Sequence, residues 1–146
     1  MNADQQKIKS LLTNSIAARD YVLKPSTKEQ IDIFTKRAND NGVDTNIIRQ
    51  LVDLYEVTDF FYSEIIMGFH HCDDPAIFEW WDDKELWLGQ RDFNTLRWKD
   101  GKFCLGDESN VSFSEEHKFD TLIELIEACI KEINAANDYD RLHYHD

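Results

Sequence analysis

The fold class of this chain is decided by the stretch Thr95-Leu96-Arg97-Trp98-Lys99-Asp100-Gly101-Lys102-Phe103-Cys104-Leu105. Two runs in it, residues 95–98 and 102–105, are rich in side chains that favour β-strands, and Lys99-Asp100-Gly101 lies between them. An Asp-Gly pair between alternating strands is a strong signal for a hairpin, because both central positions of the turn need a positive φ. The stretch therefore predicts two antiparallel strands joined by a tight turn.

Short runs with the same character flank this hairpin. Residues 77–81 and 85–90 precede it and residues 110–114 follow it, and each run is rich in aromatic or aliphatic side chains. Strands that follow one another along the chain through short connections pair antiparallel. We therefore expect a central antiparallel or mixed sheet of about four to six strands.

Helical periodicity fills the N-terminal half of the chain. Apolar side chains recur there at spacings of three and four. The predicted helices cover residues 4–19, 27–40 and 45–58. Pro25 precedes the second helix, and the Ser26 hydroxyl would accept a hydrogen bond from the N–H of Glu29 as half of a capping box. Gly42 ends the same helix, because glycine tolerates the left-handed conformation that often follows a helix.

A final helix closes the chain. Thr121 and Glu124 form a second capping-box pattern, and an apolar face then runs from Leu122 to Ile133. The order of elements is helices, then strands, then a helix, which predicts an α+β fold with N-terminal helices and a C-terminal helix packed on the sheet. We expect a single domain over residues 1–146, ending in a polar C-terminal tail over residues 134–146.

Composition excludes several classes of function. The formal net charge is −13, which argues against binding to nucleic acid or to an anionic membrane surface, because both need cations. The first residues lack the basic and apolar regions of a secretory signal, and three cysteines without a CxxC pair suit a reduced compartment. We therefore expect a cytoplasmic protein with small buried thiols.

The segment His70-His71-Cys72-Asp73-Asp74 contains the side-chain types that bind metal ions. Adjacent residues rarely coordinate one ion together, and no second pair lies at the spacing of a zinc finger. We therefore expect a polar loop before Pro75, with no metal and no cofactor. One alternative function stays open, a small metal-dependent hydrolase that uses residues 70–74.

Acidic side chains crowd positions 73–85, where Lys84 is the single cation. Trp80, Trp81 and Trp87 lie among these charges, and tryptophan beside carboxylates suits a hot spot that receives Lys or Arg from a partner. If this run were a strand, one of the two adjacent tryptophans would face outward. A solvated acidic loop and a pair of catalytic carboxylates are the other interpretations. The predicted partner-binding residues are Asp73, Asp74, Glu79, Trp80, Trp81, Asp82, Asp83 and Glu85.

One pattern is shared by residues 25–31, 42–45, 47–55, 86–89, 98–105 and 119–125. It resembles the SUKH superfamily, which includes the fungal regulator of cell-wall glucan synthesis and many bacterial homologues. The likeness spans roughly residues 25–133, and Val43-Asp44 and Thr58-Asp59-Phe60 depart from the family's usual residues at the two ends of the third helix.

The resemblance implies an α+β fold in which helices flank the sheet, and no enzymatic activity. Bacterial members are commonly immunity proteins that neutralise toxins, often nucleases, and fungal members are interaction hubs. Because nuclease toxins have cationic substrate clefts, our hypothesis is a protein-binding module whose partner is a basic toxin domain or another basic regulatory protein. A homo-oligomeric structural protein is a third possibility, and the sequence leaves the oligomeric state unknown.

Overall fold

The computed structural model of the chain describes residues 1–13, 23–59, 67–91, 94–107 and 117–144. Within these ranges the long helices are α1 (Ala3–Thr13), α2 (Lys28–Asp40), α3 (Thr45–Val57) and α4 (Leu122–Tyr144). The strands are β1 (Met67–Phe69), β2 (Leu86–Arg91), β3 (Asn94–Lys99), β4 (Lys102–Asp107) and β5 (Lys118–Phe119). Two short 3₁₀ helices, Pro75–Phe78 and Trp81–Asp83, connect β1 to β2.

The five strands form one antiparallel sheet in the order β1-β2-β3-β4-β5. The predicted hairpin is its centre: Lys99 pairs with Lys102, and Asp100 and Gly101 have φ values of 53° and 80°. Both positive φ values match the turn that the Asp-Gly pair predicts. The α+β fold class is confirmed, and α4 packs against β4 and β5 as expected.

One face of the sheet builds the core with the helices. Leu86, Leu96 and Phe103 point to this face from three neighbouring strands and are buried with Leu51 of α3 and Ile126 of α4. Burial of these apolar surfaces is the main favourable contribution to folding. The helices therefore cover the sheet from one side.

The opposite face of the sheet carries a different set of side chains. Trp87, Arg97 and Cys104 lie side by side there, because Trp87 pairs with Arg97 and Arg97 pairs with Cys104 across the ladders. Arg97 and Cys104 are also buried. This second face, called the outer face below, supports the candidate site.

The predicted strand over residues 77–81 is wrong. Asp74 accepts a hydrogen bond from the N–H of Ala76, and Pro75 occupies the first turn, so the chain starts a 3₁₀ helix there. The buried Ile77 then anchors this short helix to the core. Local capping and tertiary burial thus override the β-propensity of the aromatic run.

Several boundaries also differ from the predictions. The first capping box is formed one residue later, by Thr27 and Gln30. Because no Pro or Gly interrupts residues 122–144, α4 continues through the expected tail to Tyr144. The predicted strand 110–114 and the end of the first helix, 14–19, lie outside the described residues. The sequence did not predict β1 and β5. No helix among the described residues combines the length and apolar character needed to cross a membrane.

Candidate functional site

The segment between β1 and β2 places a tryptophan on the outer face. Trp80 stacks on Trp87, with ring centroids 4.7 Å apart and planes 21° from parallel. The guanidinium carbon of Arg97 lies 4.7 Å from the centroid of Trp80. The Trp80–Trp87–Arg97 stack thereby fixes the segment to the sheet through aromatic and cation–π contacts.

Glu85 contacts the Arg97 of this stack and is a buried counter-ion for Arg97 and Lys99. Its Oε1 is 3.3 Å from Nη1 of Arg97 and 3.2 Å from Nζ of Lys99, and the residue is only 6% exposed. The carboxylate of Glu85 thus forms ion pairs with two cations of its own chain. The prediction that Glu85 belongs to an exposed partner-binding surface is therefore wrong.

Trp81 makes contacts that are separate from those of Trp80. Its ring packs partly against the hydrophobic core, and its Nε1 donates a 3.1 Å hydrogen bond to the carbonyl of Asn41 at the end of α2. The ammonium of Lys84 lies 5.0 Å from the centroid of the same ring. Both Trp80 and Trp81 are half-buried, so the expectation of one outward-facing tryptophan in a strand is wrong.

The five predicted acids other than Glu85 separate into two groups. Asp74 caps the first 3₁₀ helix, and Asp73, which is also partly buried, is held through its carbonyl by Nη1 of Arg37. The other group is exposed and lies on both sides of the two tryptophans along the segment. Glu79, Asp82 and Asp83 make up this group, which we name the acidic rim.

The two histidines of residues 70–74 face different surroundings. The ring of His70 packs edge-on against Trp87, at 4.5 Å between centroids, and its Nε2 has no hydrogen-bond partner in the described structure. Burial lowers the pKa of His70 against the opposing effect of Asp74 and Glu79. His71 instead contacts Asp59. Among the described residues, no three His, Cys, Asp or Glu side chains converge as metal ligands.

Asp59 is the centre of a polar cluster that the sequence did not predict. Its Oδ1 accepts from the Ser26 hydroxyl at 2.9 Å and from the N–H of Cys72 at 3.3 Å. Its Oδ2 lies 2.6 Å from Nδ1 of His71 and 3.3 Å from Nε2 of Gln30. Burial acts to raise the pKa of Asp59, but the hydrogen bonds outweigh it and the pKa lies below its ordinary value.

This cluster joins elements rather than forming a nucleophile relay. Asp59 lies between the Ser26 hydroxyl and the His71 imidazole, so the contacts do not place the ring to take the hydroxyl proton. Burial raises the pKa of Cys72 to about 11, so its thiol is protonated at neutral pH. Asp59 therefore holds together the start of α2, the end of α3 and the loop after β1.

A polar cleft of about 320 Å³ lies at another place in the fold, between α1, α3 and the start of α4. Ile8 and Leu122 contribute apolar surface to it. The two cations that line the cleft form ion pairs within the chain, Lys7 with Glu127 and Arg49 with Asp53. None of the predicted partner-binding residues lines this cleft.

In comparisons with known proteins, the chain matches no family model, no curated protein and no solved structure.

Proposed function

We propose that this chain is a non-enzymatic, cytoplasmic protein-binding module of the SUKH type that docks a basic protein on the acidic rim. The observation that carries the proposal is the fixed position of this rim. Glu79, Asp82 and Asp83 are exposed on a segment that Trp80 anchors to the outer face and Trp81 anchors to α2. Exposed carboxylates on an anchored segment beside aromatic rings suit the capture of Lys and Arg side chains.

The charge of the chain supports a basic partner. A net charge of −13 attracts a cationic protein over distances of about 8–10 Å at moderate salt and speeds its association. A toxin domain with a cationic substrate cleft has the required chemistry, and covering that cleft would block substrate access. In this proposal the chain is an immunity protein. In the alternative role, a cell-wall regulator, the chain binds a different basic partner through the same surface.

The experiment is a capture of binding proteins from the native lysate, followed by measured association with the captured protein across a salt series. The test variant carries Asp82→Lys and Asp83→Lys. The matched control carries Glu29→Lys and Asp32→Lys on exposed positions of α2, which changes the net charge by the same amount.

The proposal predicts that association weakens steeply with salt and that the rim variant loses at least about ten-fold in affinity while the control loses much less. An affinity that is independent of salt and equal in both variants refutes the docking surface. Expression of the captured protein with and without this chain then decides the immunity role: a partner that is harmless without the chain refutes it.

A further inference from the structure

We propose that the exposed side of the Trp81 ring is a seat for an arginine side chain of the partner, and that Lys84 of this chain occupies that seat in the free protein. The proposal rests on the proposed function, since it assigns the ligand chemistry of the same surface. It identifies Lys84 as a residue that determines affinity and specificity.

The first step of the argument is the contrast between the two cation–π pairs. Arg97 covers Trp80 in a buried position, where Glu85 neutralises it, so this contact belongs to the folded core. Lys84 covers Trp81 from an exposed position at the end of the second 3₁₀ helix. If a cation in that position leaves the ring, no buried charge loses its partner.

The second step concerns what holds Lys84 in place. Its backbone has a φ of 61°, a left-handed conformation that a lysine rarely adopts, and its N–H donates to the carbonyl of Trp81. Although Asp82 and Asp83 precede it in sequence, no described carboxylate lies within ion-pair distance of its ammonium. The cation lies over the ring face, the position in which the ring quadrupole attracts a positive charge.

The third step identifies arginine as the incoming group. A planar guanidinium stacks on an aromatic ring and can also donate paired hydrogen bonds to a carboxylate, whereas an ammonium acts as a point charge. Asp82 and Asp83 follow Trp81 directly in the 3₁₀ helix and are exposed. A partner's arginine can use the ring and a neighbouring carboxylate together once Lys84 moves away.

The test uses oligo-arginine and oligo-lysine peptides of equal length, titrated into the full chain at low salt by calorimetry. Lys84→Ala empties the seat, and Lys84→Arg fills it with a better competitor. Lys28→Ala is the matched control, because it removes one exposed cation at the start of α2, about 18 Å along the helix from the end that Trp81 contacts. Far-ultraviolet circular dichroism checks that each variant is folded.

The expected result has four parts. Wild-type protein prefers oligo-arginine to oligo-lysine. Lys84→Ala binds oligo-arginine about two- to five-fold more tightly than Lys28→Ala does, the ratio that corresponds to one exposed cation–π contact. Lys84→Arg binds it more weakly than wild type, although the net charge is unchanged. In nuclear magnetic resonance spectra the indole N–H signal of Trp81 shifts on titration more than that of Trp87.

Each contrary outcome has a defined meaning. If binding needs Asp82 and Asp83 but is equal in Lys84→Ala, Lys84→Arg and the control, the seat is refuted and the docking surface survives. If wild type and Lys84→Ala fail to bind oligo-arginine, or bind it independently of Asp82 and Asp83, the seat and the docking surface are both refuted.

Discussion

Replacing Glu85 by alanine tests whether this residue is a buried counter-ion or a docking carboxylate. In the structure the Glu85 side chain is 8% exposed, and the Arg97 side chain that it pairs with is 4% exposed. The substitution leaves that guanidinium buried without the carboxylate that lies 3.3 Å away. Glu85→Ala is therefore expected to reduce the free energy of unfolding.

The magnitude follows from the surroundings of the two cations. Removing one partner of a buried ion pair costs about 3–5 kcal/mol. Lys99 is more exposed, at 19% of its side chain, and can turn toward water, while Arg97 keeps its contact with Trp80. We therefore expect the lower end of this range, about 3 kcal/mol, which is a large part of a total stability of about 5–15 kcal/mol.

The assay is equilibrium unfolding in urea, monitored by circular dichroism. With a slope of about 2 kcal/mol per molar urea, the midpoint falls by about 1.5 M. Asp82→Ala is the control, and because Asp82 is exposed its effect stays within about 0.5 kcal/mol. In a double-mutant cycle, Glu85→Ala and Arg97→Ala show a coupling of at least about 1 kcal/mol. If Glu85→Ala is no more destabilising than Asp82→Ala, the carboxylate is not a buried counter-ion and the reasoning fails.

Other substitutions test the remaining contacts. Asp59→Ala removes the acceptor of the Ser26 hydroxyl and the Cys72 N–H, and urea unfolding should show a loss of about 2–4 kcal/mol, whereas an effect below about 0.5 kcal/mol contradicts the cluster. The folded pKa of Asp59 lies below its ordinary 3.8, so its charge stabilises the fold above that pH and stops doing so as the pH falls through the folded pKa. The difference in unfolding midpoint between wild type and Asp59→Asn should therefore shrink in acid. A difference that grows in acid contradicts this reasoning. A Cβ on Gly89 would overlap the carbonyl oxygen of Gly68, so Gly89→Ala should cost at least about 2 kcal/mol in the same assay, and a neutral result excludes this close strand pairing. Native Cys72 should resist iodoacetamide at neutral pH until urea unfolds the chain, because it is fully buried and its pKa is raised to about 11; rapid labelling of the native protein contradicts this.

The parts of the fold that the sequence predicted depend on local signals. The Asp100-Gly101 turn, the helix stop at Gly42 and the cap at Thr121 each act within a few residues, and the structure has all three. The prediction failed at residues 77–81, where aromatic residues suggested a strand. There the local cap of Asp74 and the burial of Ile77 decide the conformation, and burial depends on distant parts of the chain.

The assignment of a partner-binding site to these residues stays a prediction. The acids, Trp80 and Trp81 lie in one segment because they are neighbours along the chain. It did not show that Glu85 faces Arg97, because that contact depends on the pairing of β2 with β3. The Asp59 cluster joins residues separated by as many as 46 positions in sequence, such as Ser26 and Cys72, and no spacing pattern marks such a cluster.

The fixed geometry of the segment is what distinguishes the acidic rim from a solvated acidic loop. A net charge of −13 by itself favours solubility, and a flexible loop would lose conformational freedom whenever it bound a partner. Trp80 anchors the segment to Arg97, and Trp81 anchors it to the carbonyl of Asn41. The segment is therefore ordered in the free protein, and binding a partner costs less conformational entropy. Weakening either anchor while leaving the carboxylates in place should therefore reduce affinity for a basic partner without altering its dependence on salt.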